Sequence, residues 1–216
     1  MGKLILGSFI ALIVIAMIII FQRYDAVIQT DTYYKNKALH SKKRIDTIFL
    51  GYSFTMDSAG FRRHTEQLLK SGKLKLKNGK LIYVFPIPED EKYITKGDIP
   101  FEITDVNFFK NKLCRISLES HSLDYTLNRL VSLHIASKLY GSNSRYTGYF
   151  DSYEKKDKNT GDKINYYLNK NLIIKIVPTS YGVDWSYMDY PNYVKYVEYQ
   201  HTLEKEKPAK QTSNDM

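Results

Sequence analysis

Residues 73–83 read Lys73-Leu74-Lys75-Leu76-Lys77-Asn78-Gly79-Lys80-Leu81-Ile82-Tyr83, and this stretch decides the fold class. Lysine alternates with leucine before an Asn-Gly pair, and apolar residues follow it. Side chains of a strand point to opposite faces in turn, so the spacing predicts one wet face and one dry face, with Leu74 and Leu76 inward. Asn-Gly tolerates the positive φ angles that a two-residue hairpin turn demands. The stretch therefore reads as an antiparallel hairpin. Its second strand runs from Leu81 to Ile87, bounded by Pro86 and Pro88.

Further strands follow. Phe101 to Phe109 is a third, and Leu113 to Glu119 a fourth, with Cys114, Ile116 and Leu118 alternating inward. After a helical interval, residues 145–155, 164–169 and 172–177 have strand character, with turns at Asn159-Thr160-Gly161 and Asn169-Lys170-Asn171. Upstream of the hairpin, Ile45 to Tyr52 is β-like. Two helices separate these runs. In the first, Thr55 or Asp57 offers a capping oxygen, Phe61, Thr65, Leu68 and Leu69 share a face, and Gly72 stops the helix. In the second, Ser122 or Asp124 caps, Leu123, Leu127, Leu130, Val131, Ile135 and Leu139 form the apolar stripe, and Gly141 ends it. Tyr190 to Glu204 reads as a final strand or a short helix.

Short links between strands mean antiparallel meanders, and segregated helices mean α+β, with two helices packed on one sheet face. The helix starts Thr55-Met56-Asp57 and Ser122-Leu123-Asp124 lie 67 residues apart, which fits a tandem helix-plus-meander repeat.

The N-terminus carries a different signal. Leu4 to Phe21 reads LILGSFIALIVIAMIIIF, eighteen residues without a charge. As a helix it would span about 27 Å, close to the roughly 30 Å hydrocarbon layer. The run is longer than a signal-peptide core and lacks a small-residue cleavage site, so it reads as an uncleaved transmembrane signal-anchor. A cleaved signal peptide and a buried soluble helix are the alternatives. Counting Lys and Arg beyond the span (Arg23, Lys35, Lys37, Lys42, Lys43, Arg44) places the body in the cytoplasm. The short N-terminal flank with Lys3 instead matches an exported body, and export to the periplasm or outside is the favoured orientation. The division is anchor 1–21, stalk 22–44, α+β domain 45–200 and flexible tail 201–216.

The segment 50–74, LGYSFTMDSAGFRRHTEQLLKSGKL, resembles the opening of small envelope proteins of Bacteroidetes-type bacteria. It is similar in turn to the SmpA/OmlA and β-lactamase-inhibitor-protein type of module. Thr55 stands before Met56 where that group carries a glycine. The resemblance implies an envelope-tethered scaffold that binds protein partners and carries no family-wide catalytic residues.

Composition narrows the chemistry. Aromatic residues make up 14%, enough for a real core, and Cys114 is the single cysteine, so no intramolecular disulfide or cysteine zinc cluster forms. The net charge of +9 favours acidic surfaces but is dispersed over stalk, hairpin, the loop around Lys155 and the tail. No arginine lies in a nucleic-acid-reading motif, which disfavours that partner. The five histidines (His40, His64, His121, His134, His201) have no metal-ligand spacing. Glu89, Asp90, Glu91 and Asp98 read as an exposed acidic loop. Phosphate-cradle and nucleophile-elbow motifs are absent. No catalytic, cofactor-binding or metal-ligating residue is nominated, and no cofactor.

Two surfaces remain. Tyr181, Trp185, Tyr187, Tyr190 and Tyr193 form an aromatic cluster able to anchor a partner, or else core packing of the last strands. Lys73, Lys75, Lys77 and Lys80 offer contact to an anionic surface, or else keep a sheet edge soluble. The leading expectation is a membrane-tethered envelope binding module whose partner is an envelope protein or an anionic cell-wall polymer. The runner-up is a cytoplasm-facing basic module binding anionic lipid or nucleic acid. A hydrolase comes third and requires His134, Asp151 and Glu102 to converge.

Overall fold

The computed structural model describes residues 13–17, 31–86, 98–121, 128, 130–132, 135, 151–157, 161 and 163–211. Eight strands form one fully antiparallel sheet in the order β1-β2-β3-β4-β8-β7-β6-β5. They are β1 (Lys75–Lys77), β2 (Lys80–Phe85), β3 (Ile99–Phe109), β4 (Lys112–His121), β5 (Asp151–Lys156), β6 (Lys163–Asn169), β7 (Leu172–Pro178) and β8 (Gly182–Asp189). Two four-strand meanders thus meet along one seam, β4 against β8, from Arg115↔Met188 to His121↔Gly182. The protein is α+β, with a meander sheet and helices.

The hairpin turn is as expected: Asn78 and Gly79 have φ of 51° and 76°. Its burial is not. Leu74 is buried just before β1, but Leu76 is 64% exposed, because β1 is the sheet's outer edge and no described residue covers it there.

Helix α1 (Ser58–Lys70) starts at Asp57, whose carboxylate accepts from the Gly60 N–H at 2.6 Å. It lays Thr65 and Leu68 on the sheet, and Gly72 leaves it at φ 71°. Residues 128, 130–132 and 135 are helical, and Val131 and Ile135 join the same core as Leu68. Leu130 does not. It is 49% exposed, one step off the buried positions 128, 131, 132 and 135, so the expected stripe is corrected there. Leu123, Leu127 and Leu139 lie outside the described residues.

Ile45 to Tyr52 is not a strand. Only a Thr47↔Ser53 bridge forms, around a 3-10 turn at Phe49–Gly51 in which Leu50 adopts φ 53°. The turn drives Phe49 into the core beside Tyr83, Trp185 and Tyr187, with ring centroids 4.7, 5.5 and 5.9 Å away.

The register assigns faces. Ile116, Leu118, Trp185, Tyr187, Ile174 and Ile176 point to the face covered by α1. Met188, Ile173, Tyr166 and Leu168 point to the opposite face, where they pack with Ala38 and with Tyr190 and Tyr193. Helical residues 31–39 and helix α2 (Tyr190–Gln211) cover this second face. Two features thus depart from expectation. Part of the stalk is packed structure, and the expected tail is helical through Pro208 to Gln211. Cys114 sits fully buried in a β-bulge opposite Asn107 and Phe108.

A buried polar node ties these layers. Asp189 is 0% exposed and receives hydrogen bonds from Asn171 Nδ2 (3.0 Å), Asn192 Nδ2 (2.7 Å) and the Arg44 guanidinium. Asn171 in turn bonds both backbone groups of Ile45 and, through its carbonyl, the Tyr190 N–H. At the seam, Gly182 has no alternative: a Cβ there would lie 1.5 Å from the Ser120 carbonyl oxygen.

Among the described residues no helix is long and apolar enough to cross a membrane. The apolar run Leu4–Phe21 lies outside them except for residues 13–17, which are helical.

Urea denaturation of the full chain should separate the two kinds of position. Asp189→Ala orphans buried amides and should cost about 2–4 kcal/mol, a value discounted because Arg44 keeps solvent contact. Leu130→Ala should change stability by less than about 0.5 kcal/mol.

Candidate functional site

The second sheet face carries the candidate site. Antiparallel pairing brings Lys175, Ser186 and Ile173 beside Met188 and Arg115 on the strands. Helix α2 passes over them with Tyr190, Tyr193, Val194, Val197 and Glu198, and the helical residues 31–39 supply Lys35. The three layers leave a recess of about 430 Å³. Its floor mixes Ile173 and Met188 with Lys175, Arg115 and Ser186, and with Lys35 three cations reach it.

The cations differ in how far their charge is compensated. Lys35 Nζ bonds Asp31 at 3.1 Å and lies 5.7 Å from the Tyr166 ring centre. Arg115 donates to Ser117 Oγ (2.9 Å) and Tyr193 Oη (3.2 Å), and among the described carboxylates the half-exposed Asp105 pairs with it, at 3.7 Å. Lys175 makes no hydrogen bond or ion pair within the described residues. Burial pushes its pKa below the ordinary lysine value, while Asp184 pulls it back up. Asp184 is itself raised, by burial first and then by Glu119 directly opposite it across the seam.

Behind Lys35 lies a second polar group. Asp31 accepts from Lys35, Lys155 (2.7 Å) and the Tyr153 hydroxyl. Burial opposes its charge, but the bonds from Lys155, Tyr153 and Lys35 outweigh that, and its pKa is lowered. Tyr153 shifts the opposite way, through burial and then its bond to Asp31, so the phenol stays a donor. Tyr34, Tyr153 and Tyr166 stack face to face, with centroid spacings of 5.3 and 4.8 Å. The stack fixes the helix to the sheet and sets one wall of the recess.

The aromatic cluster expected as one partner surface is divided. Trp185 and Tyr187 are 1% and 0% exposed in the core of the first face, since alternation along β8 turns them away from Ser186 and Met188. Tyr181 is 76% exposed on the turn before β8. Tyr190 and Tyr193 line the recess. Lys73, Lys75, Lys77 and Lys80 are all exposed at the sheet edge, and Lys80 is paired to Glu102 at 2.8 Å. Lys75, Lys77 and Lys80 lie on the paired edge strands β1 and β2, and Lys73 just before them.

The residues required for a hydrolase do not meet. Glu102 on β3 and Asp151 on β5 are five strand steps apart, about 24 Å at the usual strand spacing. His134 lies outside the described residues, as do Glu89, Asp90 and Glu91. Among the described residues no group of three His, Cys, Asp or Glu side chains could hold a metal ion. The recess itself was not legible in the sequence. Lys35, Arg115 and Lys175 are 60 to 140 positions apart and share no motif. The one signal was Lys175, a lone charge inside the apolar run LIIKIV.

The chain matches no family model, no curated protein and no solved structure.

The Asp31 cluster makes a signed prediction. Its lowered folded pKa gives stability that is complete above about pH 4 and is lost as pH falls through the folded value. Asp31→Asn removes that dependence. Melting curves from pH 6 to pH 2 should show a steeper acid loss for the native chain than for the variant, with Lys35, Lys155, Tyr153 and Tyr166 unchanged in both.

Proposed function

We propose that the protein is a membrane-anchored binding module, held by residues 1–21 and exported, whose body is a tandem of two helix-plus-meander units. The observation that carries the binding reading is the recess on the second face. It joins apolar side chains from the sheet and α2 to incompletely compensated cations, the combination expected of a site that holds a ligand. The anchor reading rests on the uncharged run Leu4–Phe21. Tandem units are supported by the two meanders that meet through their last strands. In this reading the exposed Lys75 and Lys77 edge and Tyr181 are available to an envelope partner or an anionic wall polymer.

One observation favours the alternative, a cytoplasm-facing module on an anionic membrane. A second cleft, about 400 Å³, is lined by Lys37, Lys42, Lys43 and Lys170, the first three of which follow the N-terminal apolar run in the sequence. Basic clusters just beyond an anchor attract anionic lipid, by roughly 1 kcal/mol per residue near the surface.

Membrane fractionation tests the anchor. The full chain should stay in the pellet through alkaline carbonate washing, and the chain lacking residues 1–21 should appear in the soluble fraction. Release of the full chain without detergent would end the anchored reading. A C-terminal alkaline phosphatase fusion should be active under export and silent if the body faces the cytoplasm.

A further inference from the structure

We propose that the recess between the sheet and helix α2 binds a small organic anion, with a single carboxylate or phosphate head at Lys175 and Arg115 and an apolar body over Ile173, Met188 and Val197. The inference rests on reading the domain as a binding module and adds the ligand's chemistry.

Charge accounting leads to it. Lys35 is committed to Asp31, which also takes Lys155 and Tyr153. Arg115 spends one nitrogen on Ser117 and another on Tyr193, and its remaining acidic neighbour, Asp105, is 3.7 Å away and half exposed. Lys175 has no bonded partner among the described residues, yet sits on a central strand between Ile174 and Ile176, both fully buried. Asp184, diagonally across from it on β8, attracts it through space without bonding it, and a partly desolvated ammonium with no bonded counter-ion is unfavourable in the empty fold. An anion at its tip removes that penalty, and the charge-assisted bond is stronger than one made in open water. Among the described residues Glu198 on α2 is the one carboxylate lining the recess, and its repulsion grows with the ligand's charge, which disfavours ligands carrying several anionic groups.

Size and polarity constrain the rest of the ligand. About 430 Å³ is near the lower end of the roughly 300–1,000 Å³ found for small-molecule sites. Beyond the cations, and apart from Ser186 and Glu198, the lining is Ile173, Met188, Val194 and Val197 with the rings of Tyr166, Tyr190 and Tyr193. A bare inorganic ion would leave those groups facing water, so the ligand carries an apolar or aromatic body.

The experiment is equilibrium dialysis of the full chain in detergent with four probes: naphthalene-2-carboxylate, 2-naphthyl phosphate, 2-naphthylmethanol and inorganic phosphate. At least one naphthyl anion should bind about tenfold or more tightly than the neutral alcohol, the effect of a charge-assisted bond. Which head is preferred separates a carboxylate from a phosphate ligand. Lys175→Met keeps the volume and removes the charge. It should erase the preference for the anion, leave the alcohol's affinity unchanged, and leave the far-ultraviolet circular dichroism as in the native chain. Equal binding of alcohol and anions by the native chain overturns the proposal, as does binding of none of the probes. Inorganic phosphate binding as tightly as naphthyl phosphate removes the apolar part, and an undiminished anion preference in Lys175→Met overturns the site. None of these readouts depends on carbonate extraction, so failure of the ligand class and failure of the anchored reading are distinguishable.

Discussion

Asp189 has no solvent contact, and a carboxylate in that position persists only where donors surround it. Here they come from three parts of the chain: Arg44 before the first core element, Asn171 in the β6–β7 turn and Asn192 in the first turn of α2. Asn171 is itself fully buried and clamps both polar backbone groups of Ile45. The rest of the structure depends on this node because it fixes where residues 31–44 and α2 lie against the sheet. Those two segments form the walls of the recess. A shift in either would separate Lys35 and Tyr193 from Lys175, and the site would no longer exist as one volume.

The two faces of the sheet are built on different physics. The first is a conventional apolar core, with Trp185, Phe49, Phe85 and Phe101 in edge-to-face contact and α1 laid across them. The second mixes stacked tyrosines with ion pairs. Tyr34, Tyr153 and Tyr166 give contact area at small rotamer cost, and each keeps a hydroxyl for polar use. That mixture suits a surface that is half interior and half binding site. The first face holds the sheet together, and the second supplies its chemistry.

Much of the first face was legible in the sequence. Asn78-Gly79 placed the hairpin, Gly72 ended α1 with Thr55 or Asp57 as its cap, and alternation in β4 set its faces, because each signal is local. Losses occurred where local signals were missing. β8 is buried on both sides, so GVDWSYMD shows no alternation, and its Trp and Tyr read equally as partner surface or as core. Helix α2 carries tyrosines and valines scattered around its axis because it touches the sheet only along part of its length, and its type stayed open. Phe49 looked like strand because its positive-φ neighbour Leu50 has no sequence signature outside glycine and asparagine. The recess combines side chains from four distant segments, and no spacing rule reaches that far.

The seam between β4 and β8 has a consequence for the chain as it is made. Every other adjacent pair joins strands that follow one another, but the seam pairs residues 61 to 73 positions apart. The first meander can assemble from local contacts as soon as His121 is synthesised. β4 then stands as an open edge, with Leu113, Ile116 and Leu118 beside unsatisfied backbone groups, until Gly182 to Met188 arrive. At about 5–20 residues per second that interval lasts roughly 3–12 s. For that time the half-made protein is a sheet offering an unpaired strand to any other strand nearby, a hazard that ends when its own last strand is laid down.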